Sequence, residues 1–150
     1  MMGYSQKNTK LILPVHPIGL PANIEEINKI ADKYNLKVLE DAACSLGSKY
    51  KRRMVGSMNT ACFSFHPRKS ITTGEGGMIV TNDDKIEKIS RVLRSHRASI
   101  SDLERHNSKG IISEKYEHMG YNYRMTDIQA SIGIEQFKKL NYILKRRKEL

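Results

Sequence analysis

Apolar residues recur along this chain in two patterns: short runs or alternations, and longer stretches at helical spacing. The short segments predict strands, because side chains alternate across a sheet and an unbroken apolar run suits a buried strand. The predicted strands are Lys10–Val15, Leu36–Glu40, Thr60–His66 and Met78–Thr81, with a small hairpin around Tyr50–Val55. Lys10–Val15 in particular is expected to be buried.

Three longer stretches predict amphipathic helices, because their apolar residues return every three or four positions. The first helix is expected to begin after Asn23, where Glu26 completes a capping box. The second begins at Asp83 or Asp84 and runs to about Arg97, and the third begins near Thr126. The expected inward residues are Ile27, Ile30, Ala31 and Tyr34; Ile86, Ile89, Val92 and Leu93; and Ala130, Ile134, Phe137, Leu140 and Leu144.

The alternation of strands and helices predicts an α/β protein of three layers, in which a mostly parallel sheet carries helices on its faces. At 150 residues, the chain is long enough for one domain with a real core. The polar stretch 98–116 is predicted to be a mobile loop.

One lysine follows a predicted strand in a constrained setting. The alternation in Thr60–His66 turns Ser64 and His66 to one face of the strand and two Phe rings to the other. Pro67 ends the strand because it has no N–H for the ladder, so Lys69 leaves a strand end on a stiff backbone. A lysine there can form a Schiff base with an aldehyde if its surroundings favour the neutral amine. Taken alone, a surface lysine is the commoner interpretation.

A carboxylate follows another predicted strand. Asp41 comes directly after Leu36–Glu40, and ligands of open α/β sheets bind outside the carboxyl ends of the strands. Taken alone, Asp41 is more often a helix cap or a salt-bridge partner. Together with Lys69 it forms the pair that a pyridine cofactor needs, a lysine for its aldehyde and a carboxylate that keeps its ring nitrogen protonated.

Three blocks of sequence resemble the DegT-type sugar aminotransferase family of fold-type I pyridoxal-phosphate enzymes. They are EDAACSLGSKYK, CFSFHPRKSITTGEGGMIVTND and GYNYRMTDIQASIGIEQFKKL, in the order of the family. With the segments around them they cover nearly everything from Leu11 to Leu140. The resemblance implies pyridoxal 5′-phosphate as cofactor and the large domain of the aspartate-aminotransferase-like fold.

The resemblance also implies roles for individual residues. Lys69 would carry the cofactor and Asp41 would face its ring nitrogen, and these two are the expected catalytic residues. Ser64 would bond the cofactor phosphate. Asn122 would reach the phosphate of the neighbouring subunit's cofactor across a homodimer interface. The family commonly has Gln or His three residues after the aspartate, where this chain has Cys44, so we expect a weaker polar contact with the ring substituents.

Two further residues are weaker candidates for substrate contacts, His66 and Arg124. Arg124 either binds an anionic group of the substrate or cofactor or forms an interface ion pair. His16 and His66 lack the spacing of metal ligands and are interpreted as site-lining or structural, so no metal is expected.

By resemblance, the activity is a two-stage transamination in which glutamate supplies the amino group to a nucleotide-linked keto sugar, in nucleotide-sugar and polysaccharide biosynthesis. Family members are more than twice as long as this chain. We therefore expect residues 1–9 to be a disordered or atypical lead-in. Residues 10–150 would be a partial cofactor-binding large domain that ends in the helix leading to an absent C-terminal domain. The chain alone is expected to be inactive. A non-catalytic remnant and one half of a split enzyme are the alternatives.

The positive charge suggests another class of protein, a nucleic-acid-binding module. Lys and Arg number 26 against 16 Asp and Glu, which leaves a net charge of +10. Clusters at Lys51–Arg53 and Lys145–Lys148 suit phosphates. The clusters lie on different predicted elements, however, and no nucleic-acid-binding motif accompanies them. A positive field also suits a substrate with a diphosphate, so no nucleic acid partner is expected.

Cysteine content and hydropathy favour a cytoplasmic protein. The two cysteines, Cys44 and Cys62, suggest no disulfide framework. No apolar run approaches the roughly 18 residues of a membrane span, so no membrane partner is expected.

Overall fold

The computed structural model of the protein describes residues 8–96, 107 and 120–150. The chain divides into two compact units. The first consists of Met1–Asn82 with Asp127–Leu150, and it carries the sheet. The second is Asp83–Thr126, and its described residues include the helix Asp84–Leu93 and the segment around Asn122. Most of the predicted loop at 98–116 lies outside the described residues.

The described part of the first unit contains a four-stranded sheet and a short hairpin. Three strands of the sheet run parallel and the last runs antiparallel, in the order β1-β2-β5-β6. The strands are β1 (Leu11–Ile12), β2 (Lys37–Asp41), β3 (Lys49–Tyr50), β4 (Arg53–Met54), β5 (Thr60–Ser64) and β6 (Gly77–Val80). β3 and β4 form the hairpin. The predicted α/β class with a mostly parallel sheet is confirmed.

Besides the 3-10 helix Pro17–Gly19, four α-helices can be followed from end to end in the described residues. They are α1 (Ile24–Tyr34), α2 (Asp84–Leu93), α3 (Asp127–Lys138) and α4 (Leu140–Glu149). The predicted N-cap of α1 is confirmed, because Asn23 Oδ1 accepts the N–H of Glu26 at 3.4 Å, whereas the Glu26 carboxylate accepts from Lys29 Nζ. Asp83 caps α2 in the same way, by accepting from the N–H groups of Lys85 and Ile86. None of the described helices is long and apolar enough to cross a membrane.

The prediction that Lys10–Val15 forms a buried strand is wrong. Only Leu11–Ile12 pairs as a strand, and Leu13 is 56% exposed. β1 is an edge strand of the described sheet, with β2 as its partner. Pro14 has no N–H for a ladder, which interrupts the regular pairing, and an isolated parallel bridge between Val15 and Asp41 follows it.

The predicted inward stripes of the helices are only partly correct. In α1, Ile24 and Ala31 are buried, whereas Ile30 and Tyr34 are exposed. Ile89 of α2 is also exposed. The third predicted helix is two helices, α3 and α4, since the N–H of Lys139 bonds to the carbonyl of Gln136 three residues back. Within α3, the expected inward residues Ile134 and Phe137 are 60% and 59% exposed.

Helix α3 packs through its small and polar side, which explains the wrong stripe. A Cβ on Gly133 would lie 3.0 Å from Cγ2 of Thr73, so the helix backbone approaches the turn before β6 closely. Gln129 Nε2 donates to the carbonyl of Glu75 in the same turn at 3.1 Å. A hydrophobic count along the chain does not detect a contact made through glycine and glutamine.

Polar side chains are as deeply buried as the apolar core of the described residues. The buried apolar residues are Ile24, Ala31, Ala42, Ala61, Phe65 and Ile71. The largest side chains that are fully buried are nevertheless polar: His16, Glu40 and Ser45. Burying polar groups is costly unless each is hydrogen-bonded, so we expect His16 and Glu40 to have hydrogen-bond partners.

Candidate active site

The carboxyl ends of two parallel strands meet at one edge of the sheet. β2 and β5 pair with Asp41 opposite Cys62, so Ser64 extends one side-chain repeat beyond Asp41 on the same face. Glu40, the preceding residue of β2, points to the opposite face. The predicted position of Asp41 at a strand end is confirmed, and this is the edge at which open α/β sheets bind ligands.

A tight turn after β5 returns Lys69 towards the strand end. The N–H of Lys69 donates to the carbonyl of His66 at 2.9 Å, and the N–H of His66 donates to Ser64 Oγ at 3.3 Å. His66 Nδ1 in turn accepts the N–H of Arg68 at 3.2 Å. Lys69 Nζ is 3.1 Å from Cys44 Sγ, to which it donates. The lysine is therefore held beside the loop that follows Asp41.

These side chains line an open cleft of about 650 Å³. Lys69, Ser64, Cys44 and His66, all candidates from the sequence, lie along its wall. The charged groups Arg68, Glu75 and Arg147 also line it. The volume falls within the range of small-molecule sites, roughly 300–1,000 Å³.

Asp41 lies at the end of β2 and is not among the residues that line the cleft. Its Oδ1 accepts the N–H of Ala43 at 3.1 Å. Its side chain shares a sheet face with Cys62 of β5. Burial, and secondly the negative charge of Asp41, raise the pKa of the Cys62 thiol. The carboxylate is thus on the Ser64 side of the sheet.

A buried polar cluster, formed by His16, Glu40, Gly56 and Asn59, lies on the opposite face of β2. Glu40 Oε2 accepts from His16 Nε2 at 2.9 Å and from the N–H of Gly56 at 3.1 Å, and Oε1 accepts from Asn59 Nδ2 at 2.9 Å. The structural interpretation of His16 is the one that the structure supports. Sequence reasoning missed the other three residues, although a glutamate inside an apolar strand run was a signal.

Arg147 of α4 is another residue that sequence reasoning missed. The sequence shows it only as part of a basic cluster, yet its Nη2 lies 3.5 Å from the carbonyl of Lys69. Leu144 packs one turn earlier against Gly47, so closely that a Cβ at Gly47 would clash with it. The contact between Leu144 and Gly47 brings the basic end of α4 to the cleft.

Asn122 and Arg124 lie in the second unit rather than in the unit that carries Lys69. Asn122 forms an isolated antiparallel bridge with Ser95, and Arg124 Nη1 donates to Ser95 Oγ at 3.0 Å. The rings of Tyr121 and Tyr123 stack with their centroids 5.1 Å apart. The roles inferred for Asn122 and Arg124 stay predictions.

The residues present fit a pyridoxal phosphate group. A primary amine (Lys69) and a hydroxyl (Ser64) share one cleft, and a carboxylate (Asp41) lies on the same sheet face. These are the groups that such a cofactor uses for its aldehyde, its phosphate and its ring nitrogen. Lys69, Asp41 and Ser64 would hold it, with Cys44 beside the lysine.

Fold and site together define an α/β protein of the aspartate-aminotransferase-like class. The sequence matches the model of the DegT/DnrJ/EryC1/StrS aminotransferase family over residues 6–150, and the chain belongs to this family. The family resemblance inferred from the three sequence blocks is therefore confirmed. Aminotransferases of this family depend on pyridoxal phosphate.

Individual relatives agree with the family assignment. The chain is 46% identical over 145 residues to the uncharacterized protein MJ1066 of Methanocaldococcus jannaschii, covering 96% of this chain and 38% of that protein. It superposes with a TM-score of 0.88 and 32% identity on Helicobacter pylori PseC, an aminotransferase involved in the biosynthesis of pseudoaminic acid; the alignment covers 97% of this chain and 38% of PseC.

Another similar structure is the PLP form of Spr1654 from Streptococcus pneumoniae, with a TM-score of 0.81 and 27% identity. The alignment covers 94% of this chain and 39% of Spr1654. The chain thus spans well under half the length of these relatives.

Proposed function

We propose that this chain supplies the lysine and the ring-nitrogen carboxylate of a pyridoxal-phosphate-dependent sugar aminotransferase. The observation that carries the proposal is the convergence of Lys69, Ser64 and Cys44 on one cleft, with Asp41 on the same sheet face. Membership of the aminotransferase family supports the reaction class.

The protein residues divide the chemistry between them. When bound, pyridoxal phosphate supplies a ring that accepts the electron pair of the bond broken at the amino carbon of the substrate. Lys69 Nζ would hold the aldehyde and would move a proton at that carbon as general acid and base. Asp41 would keep the ring nitrogen protonated, and Ser64 would donate its hydroxyl hydrogen to the phosphate. Cys44 Sγ, 3.1 Å from Nζ, orients the amine.

Glutamate is the proposed amino donor and a nucleotide-linked keto sugar the acceptor, in nucleotide-sugar and polysaccharide biosynthesis. The name of PseC, which places it in the biosynthesis of pseudoaminic acid, supports a sugar substrate. The charges around the cleft support an anionic one. Besides Lys69, two guanidinium groups, Arg68 and Arg147, line it beside one carboxylate, Glu75, so the local field favours a diphosphate. His66, on the same wall, is a proposed substrate contact.

The assembly is part of the proposal. Residues 10–150 would form a partial large domain, and Asn122 and Arg124 would serve a site shared between two subunits of a cytoplasmic homodimer. Since the chain spans about 38% of PseC and MJ1066, transamination is proposed for an assembly that includes the functions of their remaining length. A non-catalytic remnant or one half of a split enzyme are the alternative outcomes of the tests.

Covalent labelling of the lysine tests the proposal directly. The purified chain is incubated with pyridoxal 5′-phosphate and reduced with borohydride, and its peptides are analysed by mass spectrometry. We expect the pyridoxyl group on the peptide that contains Lys69. The Lys69→Ala variant should lose the label, whereas Lys51→Ala, which removes a surface lysine paired with Glu25, should keep it. Label on other lysines with Lys69 unmodified would refute the assignment.

A second measurement concerns the isolated chain. Pyridoxal phosphate, glutamate and keto-sugar nucleotides are added, and amino-sugar formation is followed. We expect no robust turnover, because the cleft is open to water and closure of an active site normally excludes it. Robust turnover would show that the described cleft suffices for catalysis.

A further inference from the structure

His16 contacts the end of β2 through both its side chain and its main chain. His16 is 1% exposed and Glu40 is 2% exposed, and their side chains meet at 2.9 Å. The main-chain N–H of His16 also donates to the carbonyl of Asp41 at 3.0 Å. One residue therefore binds both Glu40 and Asp41, which are neighbours in the strand and point to opposite faces.

The hydrogen bonds define the protonation state of the imidazole. The N–H of Ala22 donates to His16 Nδ1 at 2.9 Å, so Nδ1 carries no proton. Nε2 must then carry it and donates to the Glu40 carboxylate. A neutral histidine in one tautomer thus connects the 16–22 segment to the strand end, and both ring nitrogens are satisfied.

Two more groups donate hydrogen bonds to the Glu40 carboxylate. The N–H of Gly56 and the amide of Asn59 bond to its two oxygens at 3.1 and 2.9 Å. Gly56 has φ +81, and a Cβ there would lie 2.9 Å from Cγ2 of Val80. The loop after β4 therefore packs directly against the Glu40 face of the sheet, and position 56 has no space for a residue larger than glycine.

We propose that His16 and Glu40 are positioning residues for Asp41, a role that rests on the proposed function of that carboxylate. The segment 14–16 takes both main-chain polar groups of Asp41, since the N–H of Asp41 donates to the carbonyl of Pro14 at 2.8 Å. The His16–Glu40 bond fixes this segment to the strand. We expect loss of that bond to loosen the segment and thereby to weaken its two main-chain bonds to Asp41.

Cys62 provides a readout that needs no cofactor. It lies opposite Asp41 on the neighbouring strand, and the Asp41 charge helps to raise its thiol pKa. The full chain has two cysteines, so Cys44→Ser leaves Cys62 as the only thiol. Its titration is followed through the pH dependence of alkylation by iodoacetamide. In this background, Asp41→Asn calibrates the method, because it removes the charge and keeps an oxygen for the N–H of Ala43.

Two variants of His16 separate positioning from simple folding. The asparagine side chain introduced by His16→Asn is too short to reach Glu40 yet still offers an oxygen to the N–H of Ala22, whereas His16→Gln reaches Glu40 with an amide N–H. We expect His16→Asn to lower the thiol pKa by about half of the Asp41→Asn effect or more. His16→Gln should restore most of the parent value.

The contrary results are equally definite. A folded His16→Asn variant with the parent titration would overturn the proposal, as would an Asp41→Asn variant without any shift. If His16→Asn does not fold, the Glu40→Gln variant is used instead. This change replaces one of the two acceptor oxygens of Glu40 with an amide nitrogen, so we expect a smaller fall in the pKa of the Cys62 thiol. An unchanged thiol titration would refute the positioning role. Failure of Lys69 labelling would refute the proposed function. The Cys62 titration would still show whether His16 positions Asp41.

Discussion

The two faces of the strand end at Glu40 and Asp41 have opposite physical properties. Behind the sheet, Glu40 is buried and accepts three hydrogen bonds from His16, Gly56 and Asn59. In front, Lys69 meets the exposed thiol of Cys44 beside an open cleft. Two adjacent acidic residues therefore have different surroundings: Glu40 satisfies buried donors, whereas Asp41 is half-buried on the opposite face and accepts the N–H of Ala43.

The difference follows from the alternation of side chains in a strand. Consecutive residues point to opposite faces, so a single strand end connects a rigid support to an open site. Sites that are accurate need supports whose own geometry is locked by packing and hydrogen bonds. The contrast predicts that changes behind the sheet cost stability, whereas changes in front cost ligand binding.

The largest expected effect is on the buried side. Glu40→Ala leaves the donors of His16, Gly56 and Asn59 without their acceptor in a buried place, and we expect a loss of about 3–5 kcal/mol in the free energy of unfolding. Urea unfolding of the full chain measures it. The control is Glu26→Ala, since Glu26 pairs with Lys29 on the surface and should matter little. Equal losses of unfolding free energy in Glu40→Ala and Glu26→Ala would contradict the structural role of the buried carboxylate.

A change at the neighbouring residue should affect binding instead. Asp41→Asn keeps an oxygen for the N–H of Ala43, so the unfolding midpoint should hardly change. Loss of the charge-assisted bond to the ring nitrogen should weaken pyridoxal phosphate binding by about 1.5–3 kcal/mol, or roughly 10- to 150-fold. Absorbance titration measures this, with the exposed Asp32→Asn as control. Unchanged affinity would contradict the role of Asp41.

The support of helix α4 can be tested at a glycine. Gly47 has φ +84, and a Cβ would clash with Leu144, so Gly47→Ala should cost about 1–3 kcal/mol of stability. Gly74→Ala is the matched control, because Gly74 has a similar φ of +82 but nothing within 4 Å of its Cβ position. Thermal unfolding should show the larger loss for Gly47→Ala. Similar losses would mean that backbone strain alone causes the loss of stability and that α4 does not pack tightly against Gly47.

The smallest expected effect is the pH dependence from Cys62. Burial and the Asp41 charge raise its thiol pKa above the ordinary value of 9.0, so the folded state retains a proton that the unfolded state loses. Its contribution to stability is complete below pH 9 and declines as the pH rises through the folded pKa. Cys62→Ala should therefore lose less stability than the parent between pH 8 and about pH 10.5. A parent-like profile for Cys62→Ala would contradict the shift.

Local patterns in the sequence predicted a large part of the fold. Asn23 and Glu26 predicted the start of α1, and alternation with Pro67 predicted β5 and the turn that carries Lys69. Asp41 was found from its place after an apolar run. Each of these depends on residues within a few positions of one another, where backbone sterics and hydrogen bonding act directly.

The burial of the helices was less predictable, because hydrophobic spacing does not say which side meets the sheet. Ile134 and Phe137 have the spacing of a core stripe and are nevertheless exposed, since α3 packs through Gly133. Likewise, the apolar residues after β1 do not form a strand, because Pro14 interrupts the pairing.

The sequence by itself determined the family, the strand ends and the residues that carry the proposed chemistry, because motifs and caps are written in short stretches of the chain. The tertiary structure decided which distant groups support them. His16 lies 24 residues from Glu40, and Arg147 lies 78 residues from Lys69. Such pairs are brought together by strand register and helix packing, which depend on the whole fold rather than on neighbouring residues.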